Sequence, residues 1–516
     1  MSIHRLGIDV GGTNTDAVLL ENEGVIAKVK TPTTPDVTTG IINALEKVLA
    51  ESPIPPEDIE YVMLGTTHCT NAIIERKNLC KVVVVRIGAP ASLAVKPMTD
   101  WPPDLKNVIG NYVYVVEGGY EFDGREISKL NESAIKKIAK EVKGKVESAA
   151  ITSIFSPVRP EHEYRAREIF KEILGEDFPI SLSCEIGSIG LIERENATIL
   201  NAALVKVAKR AIEAFIQAIR SRGIKGRLYI GQNDGTLMSV ERALSYPIFM
   251  VASGPANSVR GAAYLSGLSD GVVVDVGGTT TDIGFLSKGF PREAATSVEI
   301  GGVRTNFRMP DLISIGLGGG SIVRFVDKDV FVGPESVGYR LASEALVFGG
   351  KTLTATDVAV RLGMAKIGFV EPSTISLEDA IKASKKIVEM VENAIDKIKL
   401  SPDPVPVIVV GGGSILLPEK LAGASKVIKP KHFEVANAIG AAIAQVSGEV
   451  DRVFSLEVKS REEVMDEVKK AAKENTVKVG ANPETVEIVE VEEIPLAYLP
   501  GNAVRVRCKA VGSLKA

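Results

Sequence analysis

One eight-residue segment occurs twice in this chain, and it limits the available folds more than any other feature. Residues 9–16 read Asp-Val-Gly-Gly-Thr-Asn-Thr-Asp and residues 275–282 read Asp-Val-Gly-Gly-Thr-Thr-Thr-Asp, identical at seven of eight positions. Each copy follows an apolar run and leads into another, so each reads as a strand, a glycine turn and a returning strand. A strand–turn–strand unit repeated in both halves of a chain implies two related lobes, each built on its own sheet.

The turn chemistry suits an anion. Paired glycines permit φ > 0 in a tight turn and let backbone N–H groups approach a phosphate closely. Gly11, Gly12, Thr13, Asn14 and Thr15 in the first copy, with Gly277, Gly278, Thr279 and Thr280 in the second, make up the candidate phosphate-binding set. Asp9 and Asp275 end apolar strands, where a carboxylate suits Mg²⁺ or its waters. Two such hairpins facing each other across a cleft would hold the β- and γ-phosphates of ATP from both sides. The pattern is not a Walker A loop, because no Gly-x-x-x-x-Gly-Lys-Ser/Thr occurs. Nor is it a dinucleotide fingerprint, because Gly11-Gly12-Thr13 leads into a strand-like run rather than a helix.

The remaining sequence fits that frame. At 516 residues the chain exceeds one core. Strand and helix signals alternate from residue 4 to about 180, with helices expected at Thr39–Ala50, Leu130–Val142 and Glu161–Leu174. A long Ala-, Ile- and Leu-rich helix, Ile189–Arg222, would connect the lobes. A second α/β series follows, with strands at Arg227–Ile230, Val272–Val276 and Val405–Val410 and helices at Val259–Leu265, Leu377–Ile398 and Ala436–Ser447. The tail has a charged helix over Glu457–Lys473 and then polar, Val-rich strands. The domains expected are therefore 1–185, 186–450 and a small α/β unit at 451–516. Sixty-one basic residues nearly balance sixty-five acidic ones, so neither nucleic acid nor an anionic membrane is an expected partner. Four cysteines without a Cys-x-x-Cys pair fit a reducing compartment. The start lacks an apolar h-region and no apolar run approaches a bilayer span, so a cytoplasmic location is expected.

Two further glycine loops follow apolar runs, at Gly318, Gly319, Gly320 and Ser321 and at Gly411, Gly412, Gly413 and Ser414. In the two-lobed actin, sugar-kinase and Hsp70 architecture (ribonuclease H-like halves around a nucleotide cleft), a late glycine loop packs on adenine and ribose. Both loops are candidates for nucleotide contact. Asp311, just before the first of them, is a candidate base or metal-water ligand.

Several segments resemble one family in order along residues 3–450. Leu64-Gly-Thr-Thr-His-Cys-Thr-Asn-Ala-Ile-Ile-Glu-Arg76 is similar to its His-Gly-Thr-Thr-x-x-Thr-Asn-Ala signature. Ser253–Ala256, Asp275–Ile283, Ile315–Ile322, Leu353–Asp357 and Ala436–Ala442 resemble its other motifs. The family is that of hydantoinase A and 5-oxoprolinase, which also includes acetone carboxylase subunits. The chain departs from it at Leu64, where the family has His, while His68 stands four residues later.

The resemblance implies an ATP- and Mg²⁺-dependent hydrolase of cyclic amides, or its ATP-handling subunit, paired with a hydantoinase B-like second subunit; self-association also stays open. An unstrained cyclic amide is a poor electrophile. In the implied chemistry its oxygen attacks the γ-phosphate, ADP leaves, and water opens the phosphorylated imidate with release of phosphate. Asp9 and Asp275 would hold Mg²⁺ or its waters. His68, Asn71 and Thr67, in the hydroxyl-rich loop, are candidates for substrate contact. Two other classes compete: a carboxylase subunit phosphorylating a ketone enol, and a small-molecule kinase of the same fold.

Overall fold

The computed structural model describes residues 2–34, 37–294, 297–327, 329–497 and 501–515. Strands are numbered in chain order. β1 (His4–Val10), β2 (Asn14–Glu21), β3 (Gly24–Pro32), β4 (Tyr61–Thr66), β9 (Arg227–Gly231), β10 (Leu237–Ser239), β21 (Val446–Ser455), β22 (Glu487–Pro495) and β23 (Ala503–Gly512) form one sheet in the order β22-β23-β21-β10-β9-β4-β1-β2-β3. β5 (Val82–Ala89), β6 (Tyr112–Glu117), β7 (Ser148–Ser153) and β8 (Ile180–Leu182) form a parallel sheet, β6-β5-β7-β8. β11 (Gly271–Val276), β12 (Thr281–Ser287), β13 (Phe290–Pro291), β19 (Val405–Val410) and β20 (Ala424–Ile428) run β13-β12-β11-β19-β20, with β16 (Leu312–Ile315) also on β12. β14 (Val298–Ile300) pairs with β15 (Val303–Thr305), and β17 (Ser321–Val326) with β18 (Asp329–Ser336).

The sequence repeat is a repeat of topology. β3-β2-β1-β4-β9 and β13-β12-β11-β19-β20 follow one scheme, with the first three strands of each antiparallel and the last two parallel to the first. This is the doubled ribonuclease H-like half of the actin-like architecture. The period of two explains how β1 and β11 are buried on both faces. Leu6, Ile8 and Val10 enter the first-lobe core, as Val272, Val274 and Val276 enter the second. Gly7 and Asp9, or Val273 and Asp275, take the other face.

Two helices occupy that other face. Ser253–Ser266 packs Val259, Ala262 and Ala263 on Val273, Leu286, Ile408 and Val410 of the second lobe. Ala436–Ile443 packs Ala438, Ile439 and Ala442 on Val18 and Leu20 of the first. The helices cross where glycine permits it. A Cβ at Gly261 would stand 1.9 Å from the Ala436 carbonyl oxygen, and one at Gly440 1.8 Å from that of Asn257. Gly7 meets the same helix, its Cβ position lying 2.1 Å from the Ala438 oxygen. This crossing joins the lobes above the ends of β1 and β11.

Three expectations change. The long helix, Leu191–Arg220, does not connect the lobes. It fills the first-lobe core with Leu200, Leu204, Ile212 and Phe215, and Ser148 of β7 donates to its Ala202 carbonyl at 2.7 Å. The helix expected over Ala436–Ser447 ends at Ile443, because Val446 enters β-ladders with Leu237 and Gly512. The C-terminal α/β unit has a small core of its own, with Val464, Val468 and Ala472 of the Arg461–Val479 helix on Val504, Val506 and Cys508. Its strands nevertheless continue the first sheet, and β21 runs across residues 450–451.

Candidate functional site

Both glycine turns close in the same way: the Gly11 amide donates to the Asn14 carbonyl at 3.0 Å, and that of Gly277 to Thr280 at 2.9 Å. None of the four turn glycines takes a left-handed φ. The positive φ that glycine permits is therefore not used here, and close approach is what Gly278 provides. The tips of the two hairpins touch, Thr13 Oγ1 lying 3.2 Å from Thr279 Oγ1. A Cβ at Gly278 would meet the Thr13 side chain at 2.6 Å, whereas one at Gly12 would meet nothing within 4 Å. Asn14 opens β2, and Thr15 is buried with its hydroxyl 3.3 Å from that of Thr33. Thr280 is exposed at the second tip.

The register places a carboxylate opposite a carboxylate in each hairpin, Asp9 against Asp16 and Asp275 against Asp282. Like charges directly opposite on neighbouring strands repel. Lys30 offsets one pair, donating to both oxygens of Asp16 at 2.7 Å and to the Glu434 carbonyl at 2.9 Å. Burial first, and then the Asp16 and Asp275 charges, push the Asp9 carboxyl up to about 7, against the pull of the neighbouring Asn257 and Asn437 amides. Burial and the Asp275 charge push Asp282 up to about 6. Burial also raises Asp275, and raises Asp16 despite Lys30. The Asn437 amide donates to Asp9 Oδ2 at 3.2 Å, and Ser258 Oγ donates to Asp275 Oδ2. Asp9 Oδ1 and both amide atoms of Asn257 are buried without a hydrogen-bond partner.

The two downstream glycine loops lie against the second hairpin. The amides of Gly319 and Gly320 donate to the Gly277 and Gly278 carbonyls at 3.0 and 2.7 Å, and that of Gly318 to Ser321 Oγ at 2.8 Å. Those donors are committed, so Gly318–Ser321 buttresses the turn. Gly411, at φ +86°, ends β19 so tightly that a Cβ would lie 2.2 Å from Asp275 Oδ1. A Cβ at Gly413 would lie 2.7 Å from the Gly277 oxygen, and one at Gly412 3.2 Å from Lys30 Cε. Ser414 follows, buried, its hydroxyl without a partner.

The β4 loop adjoins the first hairpin, since Thr66 pairs in register with Val10 and Thr67 donates to the Val10 carbonyl through N and Oγ1. His68 begins the next helix with Nδ1 on Thr66 Oγ1, and burial lowers its pKa, which favours neutral imidazole. Asn71 is exposed on that helix. Asp311 is not brought in. It accepts from Arg292 Nε at 2.9 Å and Nη2 at 2.6 Å, beyond the Gly284–Leu312 pair and so further along β12 from the turn than Asp282. The Arg292 ion pair holds Asp311 apart from the hairpin turn.

Sequence reasoning missed Asp16, Asp282, Lys30, Asn257, Ser258 and Asn437. Asp16 and Asp282 were readable, because a turn closing Val10 on Thr15 must pair Asp9 with Asp16. Asn257 and Asn437 were visible only as polar residues in small-residue helices. Among the described residues no three Asp, Glu, His or Cys side chains gather to hold a metal by themselves. Mg²⁺ does not require that, since it keeps waters and shares its shell with phosphates. An orphaned Asp9 oxygen, with the Asp16 and Asp275 carboxylates in range, fits such an ion.

Fold and site define a duplicated, two-lobed α/β protein of the actin-like type, its paired hairpins meeting beneath a glycine-mediated helix crossing. More narrowly, the chain belongs to the hydantoinase/oxoprolinase family: residues 5–174 match its N-terminal region and residues 194–374 its hydantoinase/oxoprolinase segment. It is 28% identical over 463 residues to the caprolactamase alpha subunit of Pseudomonas jessenii, covering 85% of this chain and 65% of that protein. An uncharacterized protein of Methanocaldococcus jannaschii is 30% identical over 432 residues, covering 77% and 62%. The chain thus spans less than two thirds of the length of these relatives. The crystal structure of an ATP-dependent caprolactamase from Pseudomonas jessenii has the same fold, with a TM-score of 0.79 at 22% identity over 99% of this chain and 88% of that one. Among the described residues no helix is long and apolar enough to cross a membrane.

Proposed function

We propose that this chain is the ATP-handling component of a hydrolase that activates a cyclic amide for ring opening. The observation that carries the reading is the meeting of two Asp-Asp hairpins around an unpartnered, buried Asp9 oxygen. Asp9 and Asp275 would hold Mg²⁺ or its waters, and the tips Gly12–Thr13 and Gly278–Thr279 would face the phosphates. Bound Mg·ATP supplies the phosphoryl group that makes an amide carbonyl a better electrophile. Lys30 engages both oxygens of Asp16 and leaves Asp9 to the metal. Neutral His68 and Asn71, beside the first hairpin, would meet the amide. The family and the lactam-cleaving relative support the substrate class, and that relative's name as a subunit supports a second subunit, here taken to be hydantoinase B-like.

Thermal melting with and without Mg·ATP, beside an ADP-release screen of lactams and hydantoins, tests this. Mg·ATP should raise the melting temperature by mass action. Asp9→Asn and Asp275→Asn should fold and release ADP about 100-fold more slowly, comparable with losing a preorganised electrostatic contact, while Asp311→Asn stays near wild type. Ring-opened acid with ADP and phosphate is the expected product. A carboxylated ketone or a stable phosphoester would replace this reading with one of its competitors. Full turnover by the purified chain would refute dependence on a partner.

A further inference from the structure

No well-formed hydrogen bond reaches the Asn257 side chain, although it is wholly buried beside Asp9. Taking an amide out of water without a partner is costly. Its place in the fold suggests what offsets the cost. Asn257 sits on the Ser253–Ser266 helix, which belongs by packing to the second lobe. Its side chain enters the first lobe beside Asp9. A Cβ at Gly65 of β4 would stand 2.3 Å from Asp9 Oδ1 and 2.4 Å from Asn257 Nδ2, so both atoms crowd one point in space. A Cβ at Gly231 would come within 3.2 Å of the same Nδ2. Two glycines of the first sheet thus leave room for this side chain, and Gly440 lets the facing helix close on its backbone.

The next residue attends to the other hairpin. Ser258 donates to Asp275 Oδ2, so consecutive residues of one helix address the metal-facing carboxylates of both lobes. Asn437, from the first-lobe helix, already holds Asp9 Oδ2 and leaves Oδ1 without a partner. Donor and acceptor are therefore neighbours without a well-formed hydrogen bond between them, carried on different lobes at the pivot where the two helices cross.

We propose that Asn257 is a positioning residue: as the lobes close on Mg·ATP, its amide takes up the free Oδ1 of Asp9, directly or through one water, and fixes that carboxylate toward the metal's hydration shell. Lobe closure and orientation of Asp9 then become one event. The inference rests on the reading of the cleft as an Mg·ATP site.

The experiment uses Asn257→Leu, close in shape without polar atoms, and Asn257→Ala as a second variant. Two quantities are measured on the full chain: melting temperature without nucleotide, and ATP affinity by calorimetry with Mg²⁺ and with EDTA. The nucleotide-free melting temperature of Asn257→Leu should equal or exceed that of wild type, because only unsatisfied groups are lost. ATP affinity in Mg²⁺ should fall about tenfold to a hundredfold, the scale of a hydrogen bond to a charged group, while affinity in EDTA stays unchanged. Wild-type affinity in both variants would overturn the inference and leave the Mg·ATP site standing. No Mg·ATP binding by wild type would remove the site and the inference together. If neither variant folds, Asn257 is a packing residue and the inference fails.

Discussion

Asp9 faces Asp16 at one register position and lies within range of Asp275, and that arrangement governs how the nucleotide-free protein responds to pH. A carboxyl raised from 3.8 to about 7 binds its proton more tightly folded than unfolded. Its stability contribution is complete below pH 3.8 and is lost as pH rises through about 7. In EDTA, wild type should therefore lose stability relative to Asp9→Asn across that window, by up to about 1.4 kcal/mol per pH unit. Urea unfolding at pH 5 and pH 8 checks this. An Asp9→Asn variant less stable than wild type at pH 8 would make Asp9 a structural carboxylate. The residue scale was partly legible in the sequence: Asp9 and Asp275 stood out by duplication. Asp311 was a candidate base or metal-water ligand because it precedes a glycine run, and only the fold shows Arg292 holding it away from the turn.

At the scale of elements, the hairpin was readable because its turn and its flanking apolar runs are local. The helix crossing above it was not, since Gly261 and Gly440 are ordinary small residues until their partner is known. Both now meet backbone carbonyl oxygens, which cannot rotate away as a side chain can. Gly440→Ala should force the helices apart and cost about 3 kcal/mol or more. Gly12→Ala, whose new methyl meets nothing, should keep wild-type stability. Denaturant midpoints of the two variants make the comparison. Equal midpoints would mean that the crossing is looser than these distances indicate.

Across the whole molecule, ion pairs, one of them buried, bind the C-terminal strands to the centre of the chain. Lys509 of β23 lies 2.6 Å from Asp234 Oδ2, both buried, and Arg308 reaches Glu293, Glu449 and Glu490. Burial disfavours the Asp234 carboxylate, but Lys509 and Thr236 overcome this and hold it below the usual carboxylate range. Lys509→Met would strand that charge and should cost roughly 3–5 kcal/mol at neutral pH. An effect below about 1 kcal/mol, the scale of an exposed ion pair, would show that the C-terminal segment contributes little to the first lobe. The sequence by itself determined the duplicated hairpins, the alternation that buries β1 and β11 and the acidic, hydroxyl-rich turns, because all of these follow from residues close together in the chain. Only the tertiary structure decided that β21–β23 continue the first sheet, that Gly318–Ser321 serves as a buttress, and that Asn257 and Asn437 converge on Asp9. Those outcomes depend on strand order and helix crossing, which arise from contacts between residues hundreds of positions apart and leave no periodic trace in the local sequence.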